Sequence, residues 1–359
     1  MEASGNLIRI KDIAKMAGVS EGTVDRVIHN RGKVSKITKE KVNEILTKIN
    51  YSPNLVARTL GKSKQHLITT LLPNPQTDPF WKQAYDGILA ALRQFQQLGV
   101  GLRIENFFYE LNNRDSFIEA ALKNFHSKPD AVLIAPLFYF PSISLFKNLA
   151  AKDIPYVLIN SKIPGIEPLA FIGQDLITSG RLAGQLASIG LCKKETLIIL
   201  HIDEDLQNAI HLKEKEAGFR DFIGNNHRVY SFWLNSKDES KLKTNLAEII
   251  QQHNPVSMLI STSKGFKVAE IIKVFNATIK IICYDLIPAN VDCLKKGTID
   301  FIINQNPTRQ AKLGTQILAN HLLFNRRFNP HYLFPLDIIT SENLPSYLFQ
   351  STQEYDITV

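Results

Sequence analysis

The 359-residue chain has few cysteines, no long apolar run, and no motif for metal or phosphate chemistry. Its three cysteines, Cys192, Cys283 and Cys293, are odd in number and lack metal-ligand spacing, so we expect buried, reduced thiols and a cytoplasmic protein. No run of about 18 apolar residues occurs, and the first residues lack the apolar core of an export signal, so we expect no membrane span and no secretion. The absence of a glycine-rich phosphate loop and an HExxH motif predicts no cofactor and no catalytic residue.

Positive charge is concentrated at the start of the chain. Residues 1–64 contain thirteen Lys and Arg against six Asp and Glu, whereas the whole chain has a net charge of +8. This asymmetry indicates a polyanionic partner for one domain and not for the rest. The chain is also too long for a single hydrophobic core, so we expect two or three domains.

Apolar spacing predicts three short helices in residues 1–52. Apolar residues within 10–17 fall on one helical face, Gly18 supplies a turn, and Ser20 is placed to cap a second helix. A third helix follows, capped by Ser35 or Thr38. Two helices joined by a tight glycine turn indicate a helix-turn-helix, and the second helix presents short polar and basic groups suited to base edges and phosphates.

The stretch 53–64 is predicted to be a hinge. Pro53 ends the third helix, and Asn54 can cap Leu55 to Leu60 before Gly61. A helix this short is far below the roughly 12 to 15 residues at which an isolated helix becomes marginal in water, so we expect it to fold only against a partner. An exposed leucine at its end is suited to wedging between base steps from the minor groove.

Residues 8–64 together resemble the DNA-binding headpiece of the lactose-repressor (LacI/GalR) family, without a gap. The resemblance implies that Glu21, Gly22 and Arg26 read bases and that Leu60 intercalates. Asp25 departs from the family, which usually has serine there. The implied partner is a double-stranded DNA operator bound by a homodimer. The expected DNA-binding residues are Ser20, Glu21, Gly22, Thr23, Arg26, His29, Asn30, Ser35, Asn54, Ala57, Arg58 and Leu60.

From residue 67 onward, nine apolar runs alternate with helical patterns, which predicts parallel strands covered by helices on both faces. We expect an α/β core of two doubly wound parallel-sheet lobes, periplasmic-binding-protein-like (type I), behind an all-α helix-turn-helix headpiece. The expected boundaries are 1–52 for the headpiece, 53–64 for the hinge, 65–345 for the core and 346–359 for a C-terminal tail. Lobe one is expected at about 65–162 and 306–328, and lobe two at about 163–305 and 329–345.

Ligands of open α/β sheets bind beyond the carboxyl ends of the strands, so polar and aromatic residues there are the candidate effector site. By resemblance to the family's effector domain, Phe80 and Trp81 match an aromatic pair that stacks on a sugar. Asn160 and Lys213 depart from an acidic residue and an arginine, and Lys213 would accommodate a carboxylate or phosphate. The expected effector-binding residues are Phe80, Trp81, Asn160, Gln174, Asp175, Lys213, Ser261, Asp285 and Gln305.

The sequence therefore favours a transcriptional regulator whose operator affinity is controlled by a small polar effector, and we expect this effector to be a sugar or sugar derivative. A solute-binding protein that delivers ligand to a transporter is an alternative, and an enzyme on the same sheets is a third. His201, Asp203 and Asp205 have metal-like spacing, but a strand end followed by a helix accounts for them. We expect no metal site there.

Overall fold

The computed structural model describes residues 10–28, 32, 34–49, 65–203, 209–275 and 278–352, with side chains described as far as residue 348. The chain divides into two compact units, residues 1–63 and 64–359. Among the described residues, no helix is both long and apolar enough to cross a bilayer.

The first unit contains the three predicted helices: α1 (Ile10–Ala17), α2 (Glu21–Ile28) and α3 (Lys36–Lys48). Gly18 adopts a left-handed backbone (φ 65°) in the turn between α1 and α2, a conformation that favours glycine. The Ser35 hydroxyl accepts a hydrogen bond from the Thr38 N–H at 3.2 Å and so caps α3. Ile13, Val24 and Val42 are fully buried, one from each helix, and form the centre of a small core.

The described residues of the second unit form two six-stranded sheets. The strands of the first sheet are β1 (His66–Pro73), β2 (Leu102–Tyr109), β3 (Ala131–Ile134), β4 (Tyr156–Ile159), β5 (Ala170–Gly173) and β11 (His331–Leu333). Their order is β11-β5-β4-β3-β1-β2, and all the pairings are parallel. Helices α4 (Pro79–Gln97), α5 (Arg114–His126), α6 (Tyr139–Ala150) and α12 (Pro307–Phe324) belong to this lobe.

The second sheet repeats the same pattern in the order β12-β10-β9-β8-β6-β7, with β12 antiparallel to β10. Its strands are β6 (Thr196–Ile202), β7 (Arg228–Leu234), β8 (Ser257–Ile260), β9 (Lys280–Tyr284), β10 (Phe301–Asn304) and β12 (Asp337–Ile339). Its helices are α7 (Leu176–Ser188), α8 (Ile210–Ile223), α9 (Glu239–His253), α10 (Gly265–Val274), α11 (Pro288–Lys295) and α13 (Leu344–Thr352). Each sheet is covered by apolar clusters on both faces, as the continuous apolar strands require.

The nine predicted strands are all present, but the lobe boundaries need correction. Strand β5 pairs with β4, and β11 pairs with β5, so residues 170–173 and 331–333 belong to lobe one and not to lobe two. Helix α13 also occupies the start of the stretch expected to be a tail. The sequence prediction omitted β5, β11 and β12. Strands β11 and β12 span three residues each, too few to show a period, whereas β5 is as long as the predicted β3, so its length does not explain its omission.

The cysteines correct a second expectation. Cys283 and Cys293 are buried as predicted, but Cys192 is exposed in the loop after α7. All three are unbridged.

Two glycines bring α7 and α8 into backbone contact in lobe two. A Cβ added at Gly180 would overlap the carbonyl oxygen of Lys215, and one added at Gly218 would overlap the carbonyl oxygen of Ile177. In lobe one, Gly87 allows the same close approach of α4 to the carbonyl of Thr308 at the start of α12. In each lobe, the helix that follows the first strand (α4 or α8) therefore packs tightly against the helix that the chain enters on arriving from the other lobe (α12 or α7).

The Gly180 contact predicts a specific loss of stability. Gly180→Ala should lower the free energy of unfolding by about 1–3 kcal/mol, because the new methyl group meets backbone that cannot rotate away. Gly184→Ala in the same helix should cost less, since its nearest neighbours lie at 3.1 Å and beyond. Urea denaturation followed by circular dichroism measures both variants. Equal stability of Gly180→Ala and the wild type would contradict the contact.

Candidate functional site

A polar cleft lies where the carboxyl ends of the strands of both sheets meet. Its walls come from both lobes, and Gln305 comes from the segment that crosses from β10 to α12. The lining residues are Asp78, Phe80, Trp81, Leu137, Asn160, His211, Lys215, Ser261, Thr262, Ser263, Asp285 and Gln305. Most of them are polar and all of them are buried, so the cleft suits a small ligand that carries several hydrogen-bonding groups.

Equivalent residues of the two lobes face this cleft. Asn160 follows β4 and Asp285 follows β9, and these strands hold the same position in the two sheet orders. Both residues have a left-handed backbone, with φ of 68° and 71°, which Asn and Asp adopt more readily than other non-glycine residues. The Asn160 N–H donates to Gln310 Oε1 of α12 at 3.0 Å. The two lobes thus contribute matching strand-end side chains to one site.

The carboxylate of Asp285 is held by the neighbouring crossover. The backbone N–H of Gln305 donates to Asp285 Oδ1 at 3.1 Å, and its side-chain Nε2 donates to Oδ2 at 2.8 Å. Burial raises the pKa of Asp285 to about 6, although the positive charge of Lys215 and the two hydrogen bonds from Gln305 oppose that rise. The Gln305 carbonyl accepts in turn from Gln310 Nε2 at 2.8 Å. A continuous chain of hydrogen bonds therefore joins lobe two to α12 of lobe one.

The lysine of the cleft is Lys215 and not Lys213. Lys215 is buried, and its Nζ donates to the Ser261 carbonyl at 3.1 Å and lies 3.6 Å from the Tyr284 ring centroid. Lys213 is exposed and does not line the cleft. Residues two apart on a helix point about 200° away from each other, so only one of the pair can face the site. The buried positions of α8 include His211, Leu212 and Lys215, which mark the inward face.

An aromatic wall forms at the start of α4. The Asp78 carboxylate accepts from the Phe80 N–H at 2.9 Å and caps the helix, with Pro79 in its first turn, as expected from the sequence. The rings of Phe80 and Trp81 meet edge to face with centroids 4.9 Å apart. Both line the cleft and give it an aromatic wall.

Asn290 of α11 holds the lobe-two wall in shape. Its Nδ2 donates to the carbonyls of Ser263 at 2.8 Å and Tyr284 at 2.9 Å, and its Oδ1 accepts from the Phe266 N–H at 2.9 Å. The side chain is completely buried. Truncating it would leave several backbone groups unpaired, so we regard Asn290 as a supporting residue that was missed from the sequence.

The "HIDED" segment has a structural role among the described residues. Asp203 follows β6 and contacts Ser236 and Lys264, with the Lys264 ion pair at 2.8 Å. His201 lies inside β6, and Asp205 lies outside the described residues. No cluster of three or more metal-ligating side chains occurs in the described part of the chain.

Six of the nine predicted effector residues line the cleft: Phe80, Trp81, Asn160, Ser261, Asp285 and Gln305. Gln174 lies instead at the crossovers, where its Nε2 donates to the carbonyls of Asn304 at 2.9 Å and Pro335 at 2.7 Å. Asp175 is exposed and caps α7 by accepting from the Thr178 N–H at 2.9 Å. Gln174 therefore joins the segments that connect the lobes, and Asp175 has a capping role outside the cleft.

The candidate DNA-binding residues that the structure describes lie at the surface of the first unit. Glu21, Gly22 and Arg26 are exposed on α2, together with Ser20 before it and Ser35 before α3, whereas Thr23 is half-buried. The predicted contacts His29, Asn30, Asn54, Ala57, Arg58 and Leu60 lie outside the described residues.

The fold and the cleft define a two-lobed ligand-binding protein that carries a helix-turn-helix domain. Residues 69–326 match the family described as periplasmic binding protein domain, and residues 9–54 match bacterial regulatory proteins, lacI family. The chain belongs to the periplasmic binding protein domain family and has a lacI-family helix-turn-helix domain in front of that core.

Curated relatives include two ribose operon repressors. That of Bacillus subtilis (strain 168) is 31% identical over 189 residues, which are 53% of this chain and 53% of the relative. That of Lactococcus lactis subsp. lactis (strain IL1403) is 24% identical over 278 residues, covering 76% of this chain and 77% of the relative. The chain spans about half the length of two Bacillus subtilis (strain 168) relatives that it matches, this repressor and the HTH-type transcriptional regulator DegA.

Solved structures share the fold of the core. GanP, a glucose-galactose binding protein from Geobacillus stearothermophilus, matches with a TM-score of 0.68 and 21% identity over 79% of this chain and all of that one. A structure from Bacteroides fragilis assigned as a LacI transcriptional regulator matches with a TM-score of 0.74 and 24% identity over the same shares.

The raised pKa of Asp285 predicts a pH-dependent loss of stability. Because the folded protein binds this proton more tightly than the unfolded chain, the contribution of Asp285 is fully present below about pH 4 and is lost as the pH rises through about 6. Relative to Asp285→Asn, the wild type should lose on the order of 3 kcal/mol of unfolding free energy between about pH 4 and pH 7. Urea denaturation across this range measures the difference. Asp115→Asn, at an exposed position outside the cleft, serves as the matched control substitution.

Proposed function

We propose that the chain is a sequence-specific DNA-binding transcriptional regulator whose operator affinity is controlled by a small polar effector bound in the cleft. The observation that carries this proposal is the presence, in one chain, of a lacI-family helix-turn-helix domain and a two-lobed polar cleft. The regulator acts in the cytoplasm as a homodimer that reads two half-sites, because one small headpiece alone contacts too few bases to select a site.

The first unit supports the DNA-binding part of the proposal. Its second helix exposes Glu21, Gly22 and Arg26 near its N-terminal half, the part of a recognition helix that meets base edges in the major groove. Lysine and arginine residues concentrated in residues 1–64 are available to phosphates. Arg26 is the side chain best suited to specific readout, since a guanidinium forms two hydrogen bonds with guanine.

The second unit supports control by an effector. Lys215 donates to the Ser261 carbonyl and offsets the charge of Asp285. Hydrogen bonds from Asp285 through Gln305 to Gln310 then join the two lobes. A ligand that binds between the lobes therefore favours one lobe arrangement over others. A coupling free energy of about 1–3 kcal/mol between effector and operator is typical of such linkage. The effector is a sugar or sugar derivative, a class supported by the aromatic wall and the polar lining.

A solute-binding protein is the second candidate. Its support is the likeness of the core to the glucose-galactose binding protein, which covers the core and not the first unit. DNA binding separates the two, because a solute-binding protein has no need of sequence-selective DNA affinity.

Selection of genomic DNA fragments by the full-length chain tests the regulator. The wild type should retain a small set of fragments that share a palindromic site. Arg26→Ala should weaken binding to that site about 5- to 150-fold, the effect expected when one base-reading side chain is lost. Arg103→Ala removes the same charge from an exposed position in the core and should leave binding unchanged. Absence of any sequence-selective binding at moderate salt would contradict the proposal.

Tryptophan fluorescence tests the effector. The chain has two tryptophans, Trp81 in the cleft and Trp233 on β7, where it is 49% exposed. In Trp233→Phe, a sugar that enters the cleft should change the emission of the remaining Trp81. The same sugar should produce no such signal in Trp81→Phe. A signal that survives only in Trp81→Phe would place the ligand outside the cleft.

A further inference from the structure

Three residues of lobe two form a hydrogen-bonded chain that ends at the cleft. Glu216 Oε2 lies 2.9 Å from His201 Nε2, and His201 Nδ1 lies 2.8 Å from Ser261 Oγ. His201 is completely buried, and the Trp233 ring stacks on its imidazole with centroids 5.2 Å apart and planes inclined by 17°. The orientation of the imidazole is therefore fixed, and only the positions of its hydrogens remain to be assigned.

The environment of Glu216 assigns the first hydrogen. Its other oxygen, Oε1, accepts from Arg220 Nε at 2.7 Å and from Ser231 Oγ at 2.6 Å. Burial alone would raise the pKa of Glu216, but hydrogen bonds from His201, Ser231 and Arg220 outweigh it and lower the pKa to about 2. The ionised carboxylate has no hydrogen to donate, so the hydrogen between Glu216 and His201 resides on Nε2.

The second hydrogen determines what Ser261 offers to a ligand. If the imidazole is neutral, Nδ1 has a lone pair and the Ser261 hydroxyl donates to it. If the imidazole is protonated, Nδ1 donates to Ser261 Oγ, and the hydroxyl hydrogen has the Leu200 carbonyl as an acceptor at 3.3 Å. In both states the single hydrogen of Ser261 has an acceptor inside the protein. The oxygen of Ser261 is then available to the cleft only as an acceptor.

The charges of the cleft favour the same kind of ligand. Asp78 and Asp285 contribute two carboxylates to the lining, whereas Lys215 is the only lysine or arginine among the lining residues described. The ammonium of Lys215 already donates to the Ser261 carbonyl, contacts the Tyr284 ring and offsets the charge of Asp285. His211 is the other lining residue able to carry positive charge. A ligand carboxylate or phosphate would therefore meet two resident carboxylates and a cation that is already engaged.

We propose that Glu216 and His201 fix Ser261 as a hydrogen-bond acceptor, and that the effector is a neutral or amine-bearing sugar that donates a hydrogen to Ser261, not a sugar acid or sugar phosphate. This inference rests on the proposed function for the presence of an effector. It replaces the expectation, drawn from Lys213, that the site accommodates an anionic ligand. His201 and Glu216 act here as positioning residues, and Ser261 contacts the ligand.

The position of the hydrogens can be measured without any ligand. In the full-length chain labelled with ¹⁵N-histidine, the His201 signals should show a protonated Nε2 in the wild type, with assignment from their loss in His201→Asn. In the isosteric Glu216→Gln variant, Arg220 and Ser231 hold the amide oxygen, so the amide NH₂ faces His201 and donates to Nε2. The neutral imidazole hydrogen should therefore move to Nδ1. A wild-type imidazole protonated on Nδ1 alone would overturn the assignment of Ser261.

Ligand selection is tested by calorimetry on the full-length chain with D-glucose, D-ribose, D-glucosamine, D-glucuronate and D-glucose 6-phosphate. At least one of the first three compounds should bind, and more tightly than D-glucuronate and D-glucose 6-phosphate. For the sugar that binds, Ser261→Ala should weaken affinity about fivefold, the effect of one lost hydrogen bond, and Ser261→Thr should restore it. At the hydroxyl that donates to Ser261, a deoxyfluoro analogue should bind the wild type as weakly as the deoxy analogue, because fluorine cannot donate. If a deoxyfluoro analogue retains affinity whichever hydroxyl is replaced, Ser261 does not act as an acceptor, and the inference is overturned.

Two further outcomes are decisive. Tighter binding of glucuronate or glucose 6-phosphate than of the neutral sugars and glucosamine would overturn the inference while leaving effector binding intact. Binding of none of the five would overturn the effector class stated here, and selection of genomic fragments would still test the regulator on its own. Unchanged circular dichroism of Glu216→Gln excludes unfolding as the cause of its altered histidine signals.

Discussion

The site depends on one interaction, the stabilisation of the buried Asp285 carboxylate by its neighbours. A carboxylate removed from water needs compensating donors or positive charge, and here the donors come from Gln305 while the charge comes from Lys215. Gln305 belongs to the crossover between lobes, and Lys215 belongs to a helix of lobe two. The requirement to stabilise one buried charge therefore links the cleft, the crossover and the lobe-two helix layer. A change in the occupant of the cleft acts on groups that already connect the lobes.

The repeated architecture explains why this site forms where it does. The two sheets share the same strand order, so β4 and β9 end at matching positions and deliver Asn160 and Asp285 to opposite walls. Glycine contacts at Gly87 and Gly180 fix the helix after the first strand of each lobe against the helix entering from the other lobe. The helix that carries Lys215 is one of these tightly packed helices. Its lysine is thus positioned by backbone contact, not by side-chain packing alone.

Much of this organisation is predictable from the sequence, because its signals are local. Long apolar runs identify nine strands, helical spacing identifies the headpiece, and the rule that ligands bind at strand ends identifies six of the cleft residues. The short strands β5, β11 and β12 escape prediction, and their absence shifts the predicted lobe boundary. The choice of Lys213 over Lys215 has a different cause. Lys213 is chosen by its position in the family resemblance, without regard to which face of the helix it occupies. The buried residues of α8 show which face points inward, and Lys215 lies on that face.

Whether Ser261 donates or accepts a hydrogen bond in the cleft cannot be read from a local sequence pattern. Ser261, His201 and Glu216 come from a strand end, a neighbouring strand and a helix, and their order along the chain does not indicate that they touch. Each is unremarkable alone: a serine lines a cleft, a histidine is buried, and a glutamate pairs with an arginine. In contact, the ionised glutamate determines where the imidazole holds its hydrogen, and the imidazole in turn commits the serine hydroxyl. The charge of Glu216, which does not line the cleft itself, thereby selects which hydrogen-bonding groups a ligand presents inside the cleft.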